Sequence, residues 1–256
     1  MADYVATRIV ATGDPDQLAD FSRRMLAGFK FNSILPQPKM RNGGCRPEAA
    51  TFAIAAFLAE NGVTSTTPED DYPDPGRDLL QALGITWLRT ETGYADKIKY
   101  RRDGTMAPAV RKAWNAHVRH VLKVTSATPE RTDSTPYGRD LLANARAYGD
   151  MHYPNWNRRH WGCVRDVDPG LTTVVRKEDS TTVVLITEWT PPVHVVGALR
   201  TMYPGLKLDA AYASEDYGMY AGRIDASHGA AVQVPMSFGE PSVDLALSIW
   251  AMTPWS

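Results

Sequence analysis

Residues 40–150 read as a run of helices set between two stretches that read as strands, and this interruption constrains the fold more than any other feature of the chain. Arg46-Pro47-Glu48 opens an alanine-rich segment that runs to Glu60 and stops at Asn61-Gly62. Its apolar residues Phe52, Ile54, Phe57 and Leu58 lie on nearly every side, the pattern of a buried helix. Asp74-Pro75 to Leu83, Pro108 to Val124 and Thr135-Pro136 to Tyr148 give three more helices, by apolar periodicity and by the prolines that start them. In the helix from Pro108 to Val124, Val110, Trp114, Val118 and Val121 share one face while Lys112, Arg119 and Lys123 share another. Loops are expected at 61–74 and 125–135.

On either side the pattern is different. Residues 4–11 are β-branched without a breaker and predict a strand. Asp14-Pro15 with Gln17 then caps a helix whose face is Leu18, Phe21 and Met25 and which Gly28 closes. A short segment from Phe29 to Leu35, with some strand character, ends at Leu35-Pro36-Gln37-Pro38, where two prolines stop any ladder. After residue 150, Thr181–Thr187 predicts a strand, Thr190-Pro191-Pro192 a helix start running to Met202, and Leu206–Ala213 with Gly218–Ile224 a hairpin. Val243, Leu245, Leu247 and Ile249 alternate with Asp244, Ala246, Ser248 and Trp250, which predicts a last strand. The order fits an α+β fold, a ferredoxin-like antiparallel sheet (residues 1–40 and 150–256) with a mostly helical insertion (41–149).

Composition narrows the function classes. The chain has 256 residues, 43% hydrophobic and 22% charged, with a formal net charge of -1, so it is globular and not as a whole an electrostatic nucleic-acid binder. The near-zero charge is a cancellation. Lys97, Lys99, Arg101, Arg102, Arg111, Lys112, Arg119 and Lys123 face one acid, Asp103, in the middle of the chain. Asp209, Glu215, Asp216, Asp225, Glu240 and Asp244 outnumber Lys207 and Arg223 near its end. Two cysteines far apart, Cys45 and Cys163, give no disulfide framework and suit a reducing cytoplasm. The N-terminus lacks the pattern of a signal peptide, and no apolar run is long enough to span a membrane.

The densest chemistry lies in Trp156, Arg158, Arg159, His160 and Trp161. Guanidiniums bind phosphate or carboxylate and indoles stack, so these residues form a candidate binding surface. The alternative is that both tryptophans pack on the sheet while the arginines pair with Glu188 or Asp166. Glu188 and Trp189 are counted with these candidate binding residues, the alternative for Trp189 being that it anchors the Trp-Thr-Pro-Pro helix start. His160, Glu188 and His194 offer a small-molecule or acid–base pocket. Six histidines are scattered singly; His117 and His120 have a spacing a metal permits, yet no metal or cofactor motif appears, nor any nucleotide-binding or serine-hydrolase motif. Gly43-Gly44-Cys45 before a helix reads as a turn rather than an anion site. Lys97, Lys99, Arg101, Arg102, Lys112, Arg119 and Lys123, beside Tyr100 and Trp114, make a cationic face that suits a nucleic-acid backbone or docks on the acidic end.

Three pieces carry a family resemblance. They are the opening strand with its Thr12-Gly13 turn, helix and Leu35-Pro36-Gln37-Pro38; the Trp156 to Trp161-Gly162 segment; and Thr187-Glu188-Trp189-Thr190-Pro191-Pro192 with Tyr203-Pro204-Gly205-Leu206, Tyr212, Glu215, Tyr217-Gly218 and Ala221-Gly222. Together they resemble the YubB ferredoxin-like family of plasmid and phage proteins of unknown function. His160 replaces the family's usual Asn, and Val164-Arg165 its Lys-Trp before Asp166. The resemblance implies a ferredoxin-like fold, a mobile-element setting and the cytoplasm of a bacterial host, and it implies no activity. The expectation is a protein without cofactor that binds a host or element protein and so blocks a defence system. A nucleic-acid-binding module is the second expectation and a small-molecule or enzymatic pocket at His160, Glu188 and His194 the third; pairing of sheet edges into a homodimer is expected with any of them.

Overall fold

β1 (Tyr4–Gly13) is the strand around which one half of the molecule is built. The structure is a computed structural model that describes residues 4–44, 49–83, 89–90, 93–94, 105–127, 134–226 and 230–254. Its contacts divide into two compact units, Met1–Gln37 with Asn157–Ser256, and Pro38–Trp156.

The first unit holds a six-stranded sheet. Its strands are β1, β4 (Thr173–Arg176), β5 (Ser180–Glu188), β6 (Leu206–Ser214), β7 (Ala221–Asp225) and β8 (Val232–Pro235), in the order β4-β5-β1-β6-β7-β8. Every neighbouring pair is antiparallel. With α1 (Pro15–Leu26) between β1 and β4 and α7 (Val193–Met202) between β5 and β6, the first four strands form the β-α-β-β-α-β ferredoxin-like arrangement. The other unit is an insertion in the first crossover. Residues pack by alternation: Val5, Ile9, Val183, Leu185 and Ala210 are buried toward one face, where Phe21, Met25, Val195 and Leu199 bring the apolar sides of α1 and α7.

Asp14 caps α1 by accepting from the Gln17 amide at 2.9 Å, as the sequence predicts. Tyr203-Pro204-Gly205 ties the end of α7 to α1. The Gly205 amide donates to Gln17 Oε1 at 2.9 Å, and the Tyr203 hydroxyl donates to Asp20 Oδ2 at 2.8 Å. The Arg23 hydrogen bond and then that of Tyr203 hold the Asp20 carboxyl below the usual carboxylate range.

The segment 243–249 corrects the sequence reading. It lies in α8 (Glu240–Trp250), not in a strand. The Gly239 amide donates to Ser242 Oγ at 3.0 Å at the start of the helix, Pro241 sits in the first turn, and the buried residues Ser242, Ala246, Ile249 and Trp250 recur at helical spacing. Alternation over so short a stretch is satisfied by both periods; the buried stripe obeys the helical one. α8 lies on the second face of the sheet, on β1, β6 and β7, over Ala6, Val184, Ile186, Ala211, Ala213 and Ala221. Trp250 Nε1 donates to the Ser214 carbonyl at 2.8 Å, and Arg8 reaches Ser248 Oγ at 3.2 Å. Burying the Trp250 indole stabilises the unit by roughly 3 kcal/mol.

Three further differences follow from local chemistry. The Phe29–Leu35 segment is a 3-10 turn at Phe31–Ser33 rather than a strand. Tyr153–His160, where short strands are expected, is helix α6. The edge strands β4 and β8 are short enough to escape notice. At β8 the Met236 amide donates to Ala221, so by alternation Gln233 and Pro235 face outward, and proline has no amide to offer. That edge is blunted against pairing with another strand.

In the second unit, α2 (Ala49–Glu60) is apolar on all sides and packs with α3 (Arg77–Ala82), α4 (Pro108–Ala127) and α5 (Ser134–Tyr148) around Ile54, Leu58, Leu80, Trp114 and Leu141. A two-stranded ribbon, β2 (Arg89–Thr90) and β3 (Gly93–Tyr94), completes its described elements. One side of α4 holds the loop at 69–74. Trp114 Nε1 donates to the Pro73 carbonyl at 3.0 Å, Arg111 to that of Tyr72 at 2.9 Å and Asn115 to that of Glu69 at 3.2 Å.

Candidate functional site

The Trp156–Trp161 cluster separates into buried rings and exposed cations. Trp161 is 2% exposed. Its Nε1 donates to the Leu35 carbonyl at 2.8 Å, and its ring meets Phe31 edge-on with centroids 5.9 Å apart. Asp166 fixes the same segment by accepting from the amides of Phe31 at 2.6 Å, Asn32 at 3.3 Å and Val167 at 2.8 Å. Trp156 is 8% exposed, in the second unit. Neither indole is a platform for a ligand, which corrects that reading, because a ring enclosed on all sides has no face to stack on. Arg158, Arg159 and His160 are exposed at the end of α6.

Trp189 is the reverse case. It is 49% exposed and its φ is 65°. The Thr190 amide donates to the Glu188 carbonyl at 2.8 Å, closing a γ-turn around Trp189. A second γ-turn follows directly: the Val193 amide donates to the Pro191 carbonyl at 2.9 Å around Pro192 at φ -81° and ψ 63°. The left-handed backbone of a non-glycine residue costs on the order of 1–3 kcal/mol and persists where the surroundings over-determine it. Here they do. Thr187 Oγ1 donates to the Thr190 carbonyl at 2.8 Å, and Thr190 Oγ1 donates to the Gly162 carbonyl at 2.7 Å. Gly162 itself, at φ 95°, lies so close that a Cβ there would sit 2.7 Å from the Val193 nitrogen. Thr187, Thr190 and Gly162 therefore anchor the turn; Trp189 is what the turn displays. This corrects the alternative reading of Trp189 as the anchor.

The packing of Gly162 on the 190–193 turn puts the end of α6 beside the start of α7. His160 and His194 are neighbours in space, and His160 is held below the usual histidine range by burial first, then by Arg159 and His194. Glu188 pairs with Arg165 at 3.0 Å rather than with Arg158 or Arg159. Arg165, which the sequence reading left unassigned, joins the set because it follows Gly162 by three residues on the same turn. The Cys163 thiol beneath is pushed up to about 12 by burial, with Asp166 and Glu188 adding to the effect, so it is no nucleophile at neutral pH. The turn carries a half-exposed indole, Arg165 pairs with Glu188 at its start, and His160 interacts with Arg159 and His194 beside it.

The cationic face resolves in part. Lys97, Lys99, Arg101 and Arg102 lie outside the described residues, as do Cys45 and His228. Lys112, Arg119 and Lys123 are exposed on α4. Arg119 is bound to Glu69, and Arg111 pairs with Asp74 at 3.6 Å, so these two arginines serve the acidic loop of their own unit. Aromatic stacking on the sheet has no support either: α8 covers one end of the second face, and the exposed large apolar residues of the described strands are Val175, Val232 and Val234. His117 stacks on Trp114 with centroids 6.3 Å apart, and the described residues contain no group of three side chains that could hold a metal. Gly43 is a packing turn, its carbonyl accepting from the Tyr153 amide at 2.9 Å.

Comparison with known proteins bears on the sheet. No curated protein matches the chain. A crystal structure of the protein api92 from Yersinia pseudotuberculosis aligns over 94% of this chain and 100% of that chain at 9% identity, with a TM-score of 0.36, and carries no argument at that similarity. Residues 171–243 match the family model described as the ferredoxin-like domain in Api92-like protein. That stretch runs from β4 through β8 into α8, so the ferredoxin-like fold stands on the match and on the strand order together.

Proposed function

We propose that this protein is a non-enzymatic binding protein that engages a protein partner through the surface around Trp189. The observation that carries the reading is the exposed indole on a strained γ-turn. Strain held in place by Thr187, Thr190 and Gly162 serves display, since the same turn with a glycine at 189 would relieve it. Tryptophan and arginine are the residues on which interface energy concentrates; Arg165 pairs with Glu188 at the start of the turn, and Arg158 and Arg159 are exposed at the end of α6, the helix that runs into Gly162. The resemblance of the motifs to plasmid and phage proteins supports a partner from a host or mobile element, and inhibition of a defence system is the role that fits such a setting.

The test is a nuclease-treated pull-down from host lysate with wild type, Trp189→Ala and Arg158→Ala/Arg159→Ala, each checked for unaltered melting. A protein recovered with wild type and lost with both variants is the expected result. Recovery that disappears on nuclease treatment would transfer the function to nucleic acid and to Lys112 and Lys123.

A further inference from the structure

A second surface of the first unit has the opposite character. Tyr217, Met219 and Phe238 are 51%, 70% and 68% exposed, the last two among the most exposed large apolar residues described. They are not scattered. Tyr217 and Met219 flank Gly218 in the β6–β7 connection, and Gly218 is pressed onto the first turn of α8. A Cβ on Gly218 would lie 2.9 Å from Val243 Cγ2 and 3.0 Å from Ser242 Oγ. Phe238 is the residue before Gly239, which caps that same turn through its amide bond to Ser242 Oγ at 3.0 Å. Two adjacent connections thus present three large apolar side chains at one end of α8.

Among the described residues of these two connections and of the first turns of α8, the charges are acidic. Asp216 precedes Tyr217, and Glu240 and Asp244 stand on the exposed side of the first turns of α8. Between residues 208 and 254 the single Lys or Arg is Arg223, which pairs with Asp209 at 3.4 Å. Arg8, the cation that reaches α8, meets it at Ser248, toward the other end. Exposed apolar groups rimmed by charge mark interaction sites, and a rim of a single sign selects the partner's charge. A nucleic acid is repelled here.

We infer that this surface docks a cationic segment of a partner protein, with large apolar side chains of that segment on Tyr217, Met219 and Phe238. It shares no residue with the Trp189 surface and does not depend on it. The test is selection of a displayed library of random peptides on the full-length protein, with Trp189→Ala as a parallel bait. Enriched peptides are expected to carry Lys or Arg interleaved with large apolar residues, and to bind wild type and Trp189→Ala alike. By anisotropy, Tyr217→Ser/Met219→Ser/Phe238→Ser and Asp216→Lys/Glu240→Lys/Asp244→Lys should each weaken them by at least about tenfold. The single variant Phe238→Ser, at an exposed position, guards against loss of fold in the triple variants and should weaken binding severalfold. Selection of no peptides, selection of acidic or neutral ones, or peptides that bind the variants as well as wild type would overturn the inference.

Discussion

At Trp189 and Gly162 the backbone decides what each residue is for. Both have positive φ, 65° and 95°, but the tryptophan is displayed and the glycine is enclosed. Glycine at 189 relieves the strain of the positive φ and gives up the covered half of the indole, so the two effects oppose each other and Trp189→Gly should unfold within about 1 kcal/mol of wild type while losing the partner. Trp189→Val, β-branched in the same backbone, should lose about 1–2 kcal/mol. Gly162→Ala should cost about 2 kcal/mol or more, since its Cβ has no room beside Val193 and the φ penalty adds to the overlap. Equilibrium urea unfolding checks all three. The sequence makes the Trp156–Trp161 segment conspicuous, and its residue types point correctly to packing or binding. Which ring does which was not legible, because the answer depends on Leu35 and Phe31 closing over Trp161 from more than 120 residues away.

α8 is the element that most changes the molecule. A four-stranded ferredoxin-like sheet leaves one face open, and here that face is occupied over β1, β6 and β7 by Ala246, Ile249 and Trp250. Trp250→Ala should therefore destabilise the first unit by about 3–5 kcal/mol, read by urea unfolding, while Leu247→Ala, on the exposed side, should stay within about 0.5 kcal/mol. The strands and helices with long periodic signals were legible: β1, α1, β5, α7 and the β6–β7 hairpin come from β-branched runs, caps and proline starts that act locally. The failures share a cause. At 243–249 two periods fit the same letters, and at 173–176 and 232–235 four residues give too little pattern to read. Only the strands they pair with, or the sheet they cover, select the outcome.

Across the whole molecule, charge and protonation are organised by unit. The second unit holds two histidines, the half-buried His117 and the buried His152, whose pKa values lie below the usual 6.5, in each case chiefly because desolvation disfavours the imidazolium. The unfolded chain then binds more protons than the folded one below pH 6.5. Their contribution is complete above that pH and is lost as pH falls through the lowered folded values, so the urea midpoint of this unit should drop between pH 7.5 and pH 5. His117→Gln/His152→Gln should flatten the dependence. The central claim, that a displayed tryptophan makes this a protein-binding molecule, is tested most directly by placing a photo-crosslinking amino acid at position 189 and irradiating the protein in nuclease-treated host lysate. The account expects a discrete protein adduct at 189 that weakens when Arg158 and Arg159 are replaced by alanine, and no such adduct from the same group placed at exposed Leu26. Adducts only to nucleic acid before nuclease treatment, or the same adducts from both positions, would contradict it.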